Sequence, residues 1–113
     1  MPHCIIEYSK EIEAQFAPSV LIEAVYQAAL ESELFDGPDI KVRALAYTNH
    51  QSGGRKSDFV HVSLRILSGR NEAQRKHLSQ SVLAHLRLLK LKEISLTVEV
   101  LDIDRSSYAK HVE

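Results

Sequence analysis

The chain has 113 residues and a mass of 12.8 kDa, the size of one domain, because two independent halves would each be too small for a self-sufficient core. Its 14 Lys and Arg against 15 Asp and Glu give a net charge of -1, so it has no basic surplus with which to hold nucleic acid or an anionic membrane by counterion release. A composition of 44% hydrophobic and 26% charged residues is ordinary globular usage and argues against a disordered or fibrous chain.

Pro2 to Tyr8 is partly β-branched and uninterrupted by Gly, which predicts a strand at the very start. Ser9 to Ala17 is polar and mixed. Pro18 then stands where a first-turn proline is tolerated, ahead of Val20, Leu21, Ala24, Val25 and Ala28 at three- and four-residue spacing. This predicts a helix ending near Leu34, followed by the breakers Phe35-Asp36-Gly37-Pro38. A second strand alternates Ile40, Val42, Ala44 and Ala46 with Lys41, Arg43, Leu45 and Tyr47. Thr48 to Ser57, with Gly53-Gly54 among polar residues, reads as an exposed hairpin loop.

From Phe59 to Leu67, Val60, Val62, Leu64 and Ile66 share one strand face while His61, Ser63 and Arg65 share the other. Ser68-Gly69-Arg70 turns the chain, and Asn71 with Gln74 three residues on forms a nonclassical capping box for a second helix marked by Leu78, Val82, Leu86 and Leu89. A last strand turns Ile94, Leu96, Val98 and Val100 inward, and the tail from Asp102 is polar. The order is β-α-β, loop, β-α-β, a pseudo-repeat of residues 2–47 and 58–101 within one domain spanning 1–113, its halves offset by roughly 53 to 57 residues. Right-handed crossovers place all four strands in one sheet with both helices on one face. The expected fold is therefore α+β with a four-stranded mixed sheet, and the second sheet face is left to solvent or to a partly polar subunit interface.

Few familiar signatures are present. There is no Gly-rich phosphate loop, no His-Glu-x-x-His and no Gly-x-Ser-x-Gly, and Gly53-Gly54-Arg55-Lys56 precedes a strand where a phosphate loop would precede a helix. The six His residues never fall at i, i+4, so spacing supports no metal site. His77 and His85 read as surface or boundary residues of the second helix, and His61 as a satisfied structural histidine. Cys4, the one cysteine, excludes an intrachain disulfide framework and reads as a small packed side chain. A reducing compartment is the simplest home. With no apolar run approaching a membrane span of about 18 residues and no signal-peptide order at Met1-Pro2-His3-Cys4, a cytoplasmic protein is expected.

Pro2 is the informative residue. Proline is common near N-termini, but with the initiator Met removed this one presents a secondary amine at the head of a strand.

An N-terminal proline at the head of a β-α-β unit, the start Pro2-His3-Cys4-Ile5-Ile6-Glu7, and a second unit running from Phe59 to the Gly69-Arg70 turn together resemble the tautomerase superfamily. Within it, the likeness is to the 5-carboxymethyl-2-hydroxymuconate isomerases, whose subunits are double-length β-α-β repeats. The resemblance covers nearly the whole chain. It implies a homotrimer in which the amino-terminal proline is the catalytic base and cationic side chains hold a di- or tricarboxylate small molecule, with no metal or organic cofactor. Pro2 matches the catalytic proline, and Arg70 matches a family arginine that meets a substrate carboxylate. Lys41 falls where an arginine is expected, with Arg43 on the same face. Lys keeps the charge but lacks the bidentate fork, which leaves the substrate open.

The resemblance thus implies an isomerase that shifts a double bond in an unsaturated 2-hydroxy or 2-oxo polycarboxylate, such as 5-carboxymethyl-2-hydroxymuconate, from aromatic breakdown. Two other readings stand beside it. One is a catalytically silent trimeric binding or scaffold protein that keeps the fold; the other is a tautomerase for arylpyruvates or a similar substrate.

Overall fold

Alternate side chains of the first strand decide which way the sheet faces. Along β1 (His3–Ser9), Cys4, Ile6 and Tyr8 are buried while His3, Ile5 and Glu7 are half-covered, the period-two pattern of a strand with one packed face. The computed structural model describes all 113 residues. After β1 come a 3-10 turn (Lys10–Ala14), α1 (Pro18–Glu31), a second 3-10 turn (Gly37–Asp39) and β2 (Lys41–Tyr47). The chain continues through β3 (Asp58–Leu67), α2 (Glu72–Arg87), β4 (Ile94–Ile103) and a final 3-10 turn (Arg105–Ser107).

The sheet order is β2-β1-β3-β4. β1 pairs with β2 and β3 with β4 in parallel, each pair joined through its helix, and the central β1–β3 pair is antiparallel. Both helices pack on one sheet face, where Leu21, Val25 and Ala28 of α1 meet Leu78, Val82 and Leu86 of α2 above Ile6, Val62 and Leu64. Each of the Leu, Ile and Val side chains among them contributes on the order of 1.5–3 kcal/mol by leaving water. This is the α+β mixed sheet with two helices on one face that the sequence pattern predicts.

Asn71 starts α2 as expected. Its Oδ1 accepts from the Gln74 N–H at 2.8 Å while the Gln74 Oε1 accepts from the Asn71 N–H at 3.0 Å, so two otherwise orphaned donors are satisfied.

Three details differ from the sequence reading. α1 stops at Glu31, before Leu34: Ser32 Oγ donates to the Ala29 carbonyl at 2.6 Å, and Glu33 adopts a left-handed φ of 62°. The mixed segment after β1 is not simply polar, because Ile12 on the first 3-10 turn is fully buried. One apolar residue on so short a turn has no periodicity to announce it. The loop at 48–57 is not a hairpin loop. β2 and β3 lie on opposite sides of β1, so the connection passes from one side of β1 to the other, with only a tight turn of its own where Ser52 bridges Arg55 around Gly53.

Candidate functional site

Both chain ends and the turn before α2 meet at one end of the sheet. The main chain of Pro2 extends the β1–β2 ladder, its carbonyl accepting from the Lys41 N–H at 3.1 Å, and its side chain is buried. β4 brings the other terminus back: Ser68 N–H donates to the Ile103 carbonyl at 3.1 Å, and Arg105 Nη2 donates to the Ser68 carbonyl at 2.8 Å. Met1 lines a cavity of about 280 Å³ with Glu33, Leu34, Phe35, Asp36, Asp39 and Arg70.

Arg70 is aimed into this cavity by the turn that precedes it. Gly69 holds φ at 126°, a backbone conformation that a side chain would strain, and Ser68 bridges Arg70 across it. The Arg70 guanidinium donates to the Leu34 carbonyl at 2.7 Å and lies 5.4 Å from the Phe35 ring centroid. Part of its hydrogen-bonding capacity therefore fastens the α1–β2 connection, and the remaining N–H groups are not committed to a carboxylate.

Electrostatics at the chain start favour a neutral amine. Burial holds the Met1 amine below its ordinary value, reinforced by Lys110, Arg70 and Arg105 and opposed by Asp39.

A second cationic group lies beside the first, on the sheet face away from the helices. Strand register sets Lys41, His3 and Arg65 in one row across β2, β1 and β3, and Arg43 Nη1 comes to 3.4 Å from His3 Nδ1. Lys41, Arg43 and Arg65 form no ion pair with any carboxylate. Burial lowers the His3 pKa, and Arg43, Lys41 and Arg65 lower it further. The other ring nitrogen of His3 lies 2.9 Å from the Tyr108 hydroxyl oxygen.

The four residues singled out in the sequence thus fall into two adjoining sets. Arg70 lines the Met1 cavity, with Pro2 buried next to Met1 in the chain, and Lys41 and Arg43 gather around His3 on the open face. Sequence reasoning missed His3, Arg65, Arg105, Tyr108 and Lys110. The first two are placed by cross-strand register, and the rest sit in a tail with no hydrophobic period to place it; the cationic and aromatic residues in that tail were the only signal.

Two other residues behave as structural groups. Cys4 is fully buried, and burial pushes its thiol up to about 11, far from a reactive thiolate. His61 is bonded through Nδ1 to Thr97 Oγ1 at 2.7 Å and through Nε2 to Glu99. No helix is long and apolar enough to cross a membrane.

Comparison with known proteins gives a family match. The family model of 5-carboxymethyl-2-hydroxymuconate isomerase matches residues 2–113. Among solved structures, a 5-carboxymethyl-2-hydroxymuconate isomerase from Deinococcus radiodurans R1 is similar with a TM-score of 0.85 at 21% identity, over 99% of this chain and 90% of that one. A 5-carboxymethyl-2-hydroxymuconate delta-isomerase gives a TM-score of 0.83 at 18% identity, over 100% of this chain and 89% of that one. A fused 4-OT described as a symmetric trimer gives 0.77 at 14% identity, over 96% and 90% of the two chains. These identities establish a shared fold. No curated protein sequence is significantly similar to the chain.

Proposed function

The chain belongs to the 5-carboxymethyl-2-hydroxymuconate isomerase family, and we propose that it moves a proton within an unsaturated 2-hydroxy or 2-oxo polycarboxylate, with Pro2 as the base. The observation that carries this reading is the set of cations at the chain start. Arg70, Lys41, Arg43 and Arg65 converge on the first three residues and have no carboxylate partner in the protein. Like charges gathered in this way repel one another, and an anionic ligand relieves the repulsion.

With Met1 removed, the Pro2 nitrogen becomes a secondary amine in the surroundings that already lower the Met1 amine. Burial and the Lys110, Arg70 and Arg105 charges, opposed by Asp39, lower the Met1 amine, and on this reading the same surroundings favour the neutral form of the Pro2 amine. The neutral amine takes the proton from the enol oxygen and becomes a prolinium. The electron pair left on oxygen spreads along the unsaturated chain as a dienolate, and the prolinium returns the proton to a more distant carbon. One group serves both transfers. Arg70 and the Lys41–Arg43 pair offset the negative charge of the carboxylates and of the dienolate. Lys41 contributes a point charge without a fork, so it orients a carboxylate less strictly than an arginine there would. The reaction as written needs no metal or organic cofactor.

Turnover of a 2-hydroxymuconate-type dicarboxylate tests the role of Pro2. Replacing Pro2 by Ala in the processed protein is expected to lower kcat about 10²–10⁴-fold, the usual worth of a positioned base, with weak activity left from the primary amine. Undiminished turnover removes Pro2 from the mechanism, and absence of turnover in the processed wild type favours a silent scaffold.

A homotrimer is part of the same reading. β2 and β4 leave both sheet edges unpaired, and Leu45 on the open face is 56% exposed. Three sheets around an axis cover both features. Light scattering at low micromolar concentration is expected to give about three times 12.8 kDa; a stable, active monomer contradicts it.

A further inference from the structure

The contact between His3 and Tyr108 fixes where protons lie at the edge of this site. A guanidinium offers only N–H donors, so the His3 nitrogen facing Arg43 at 3.4 Å must present a lone pair. The neutral ring then carries its hydrogen on the other nitrogen, 2.9 Å from the Tyr108 oxygen. His3 is the donor in that bond and the phenol the acceptor. Had the ring been cationic, an N–H would point at Arg43 against its donors, and burial with the neighbouring Arg43, Lys41 and Arg65 charges also disfavours that form.

The consequence concerns Tyr108. Its oxygen has no other hydrogen-bond partner in the protein, so its O–H remains free. Tyr108 is also the one half-buried residue between Asp104 and Glu113, held edge-on against His3 with ring centroids 6.0 Å apart. The C-terminal segment is thus anchored at one aromatic side chain, whose unused donor lies across the His3 ring from Arg43, with Lys41 and Arg65 flanking His3 in strand register.

We propose that Tyr108 is a ligand-binding residue whose hydroxyl, held in orientation by His3, donates to one carboxylate of a dicarboxylate whose charge Lys41, Arg43 and Arg65 offset. This assignment rests on the reading of the chain start as the active site, and it adds a neutral donor from the far end of the chain. His3 acts here as a positioning residue.

Adipate, a saturated dicarboxylate that cannot turn over, serves as the probe in calorimetric titration of the processed protein. Tyr108→Phe, which removes only the hydroxyl, is expected to weaken adipate binding about tenfold, the worth of a hydrogen bond to a charged group. The thermal midpoint is expected to stay put. With a 2-hydroxymuconate-type substrate, the same variant is expected to raise KM by a similar factor at unchanged kcat, as for contact made equally in ground and transition states. His3→Leu is expected to weaken adipate binding as well, and His3→Gln, whose amide N–H can still donate to the phenol oxygen, to recover most of the loss.

Wild-type adipate affinity and KM in a folded Tyr108→Phe variant overturn the proposal, as does a wild type that does not bind adipate. His3→Gln binding no better than His3→Leu overturns the positioning role. Full turnover by Pro2→Ala defeats the assignment of the base and leaves the adipate series to decide Tyr108 independently.

Discussion

At the head of β1 the backbone begins: Pro2 is buried, its carbonyl is bonded to Lys41, and the cations around it lack carboxylate partners. At the head of β3 the corresponding position lies in mid-chain, and Asp58 there accepts from Ser9 Oγ at 3.0 Å. The partner strands differ in the same sense. On the open face β2 presents Lys41 and Arg43 unpaired, whereas β4 presents Thr97 and Glu99, both bonded to His61. Both halves run strand, helix, strand with the same parallel pairing. Packing is therefore repeated while charge neutralisation is not. Apolar burial needs only the right period and volume, and both halves supply it. A binding site for an anion needs charge left uncompensated, and that charge gathers at the head of β1, from Lys41 and Arg43 of the first half and Arg65 and Arg70 of the second.

If packing is repeated, truncations at matching core positions should cost the same. Leu21 on α1 and Leu78 on α2 are 0% and 1% exposed. Leu21→Ala and Leu78→Ala are each expected to lose about 2–5 kcal/mol of stability through lost burial and the cavity left behind. Urea unfolding followed by circular dichroism checks this. A large loss in one half beside a small loss in the other breaks the equivalence.

Arg70 sharpens the contrast from the side of charge, since it emerges from the second half and serves the first. Arg70→Ala is expected to lower kcat/KM for a dicarboxylate by the equivalent of about 1.5–3 kcal/mol, the range for a hydrogen bond to a charged group. A substrate without the distal carboxylate should lose much less. Equal losses for both substrates would mean that Arg70 works only through the Leu34 carbonyl and Phe35.

The contrast also explains what the sequence makes legible. Alternation from Val60 to Ile66 and helical spacing from Leu78 to Leu86 report side-chain burial directly, so the residues themselves announce the sheet, both helices and the helix-covered face. Asn71 and Gln74 report a local hydrogen-bond exchange. The path of residues 48–57 depends on which side of β1 each neighbour occupies, a choice made by the whole sheet, and a local hairpin reading fails there. Ile12 is buried without a pattern. At the site, Pro2 stands out by its position and Arg70 by its turn, but His3 and Arg65 face each other only through antiparallel register. Arg105, Tyr108 and Lys110 arrive because β4 returns the tail to the chain start.

The central claim is that a free Pro2 amine is the base, and Met1 offers the most direct control. Two preparations of the same chain, distinguished by intact mass as lacking or retaining Met1, are to be assayed on one 2-hydroxymuconate-type dicarboxylate. When Met1 is retained, the Pro2 nitrogen is a peptide nitrogen whose electron pair is delocalised into the carbonyl, and it cannot accept the proton. Turnover confined to the Met1-free form is the expected result. Equal rates from the two forms would contradict it, whatever the cations around the site contribute.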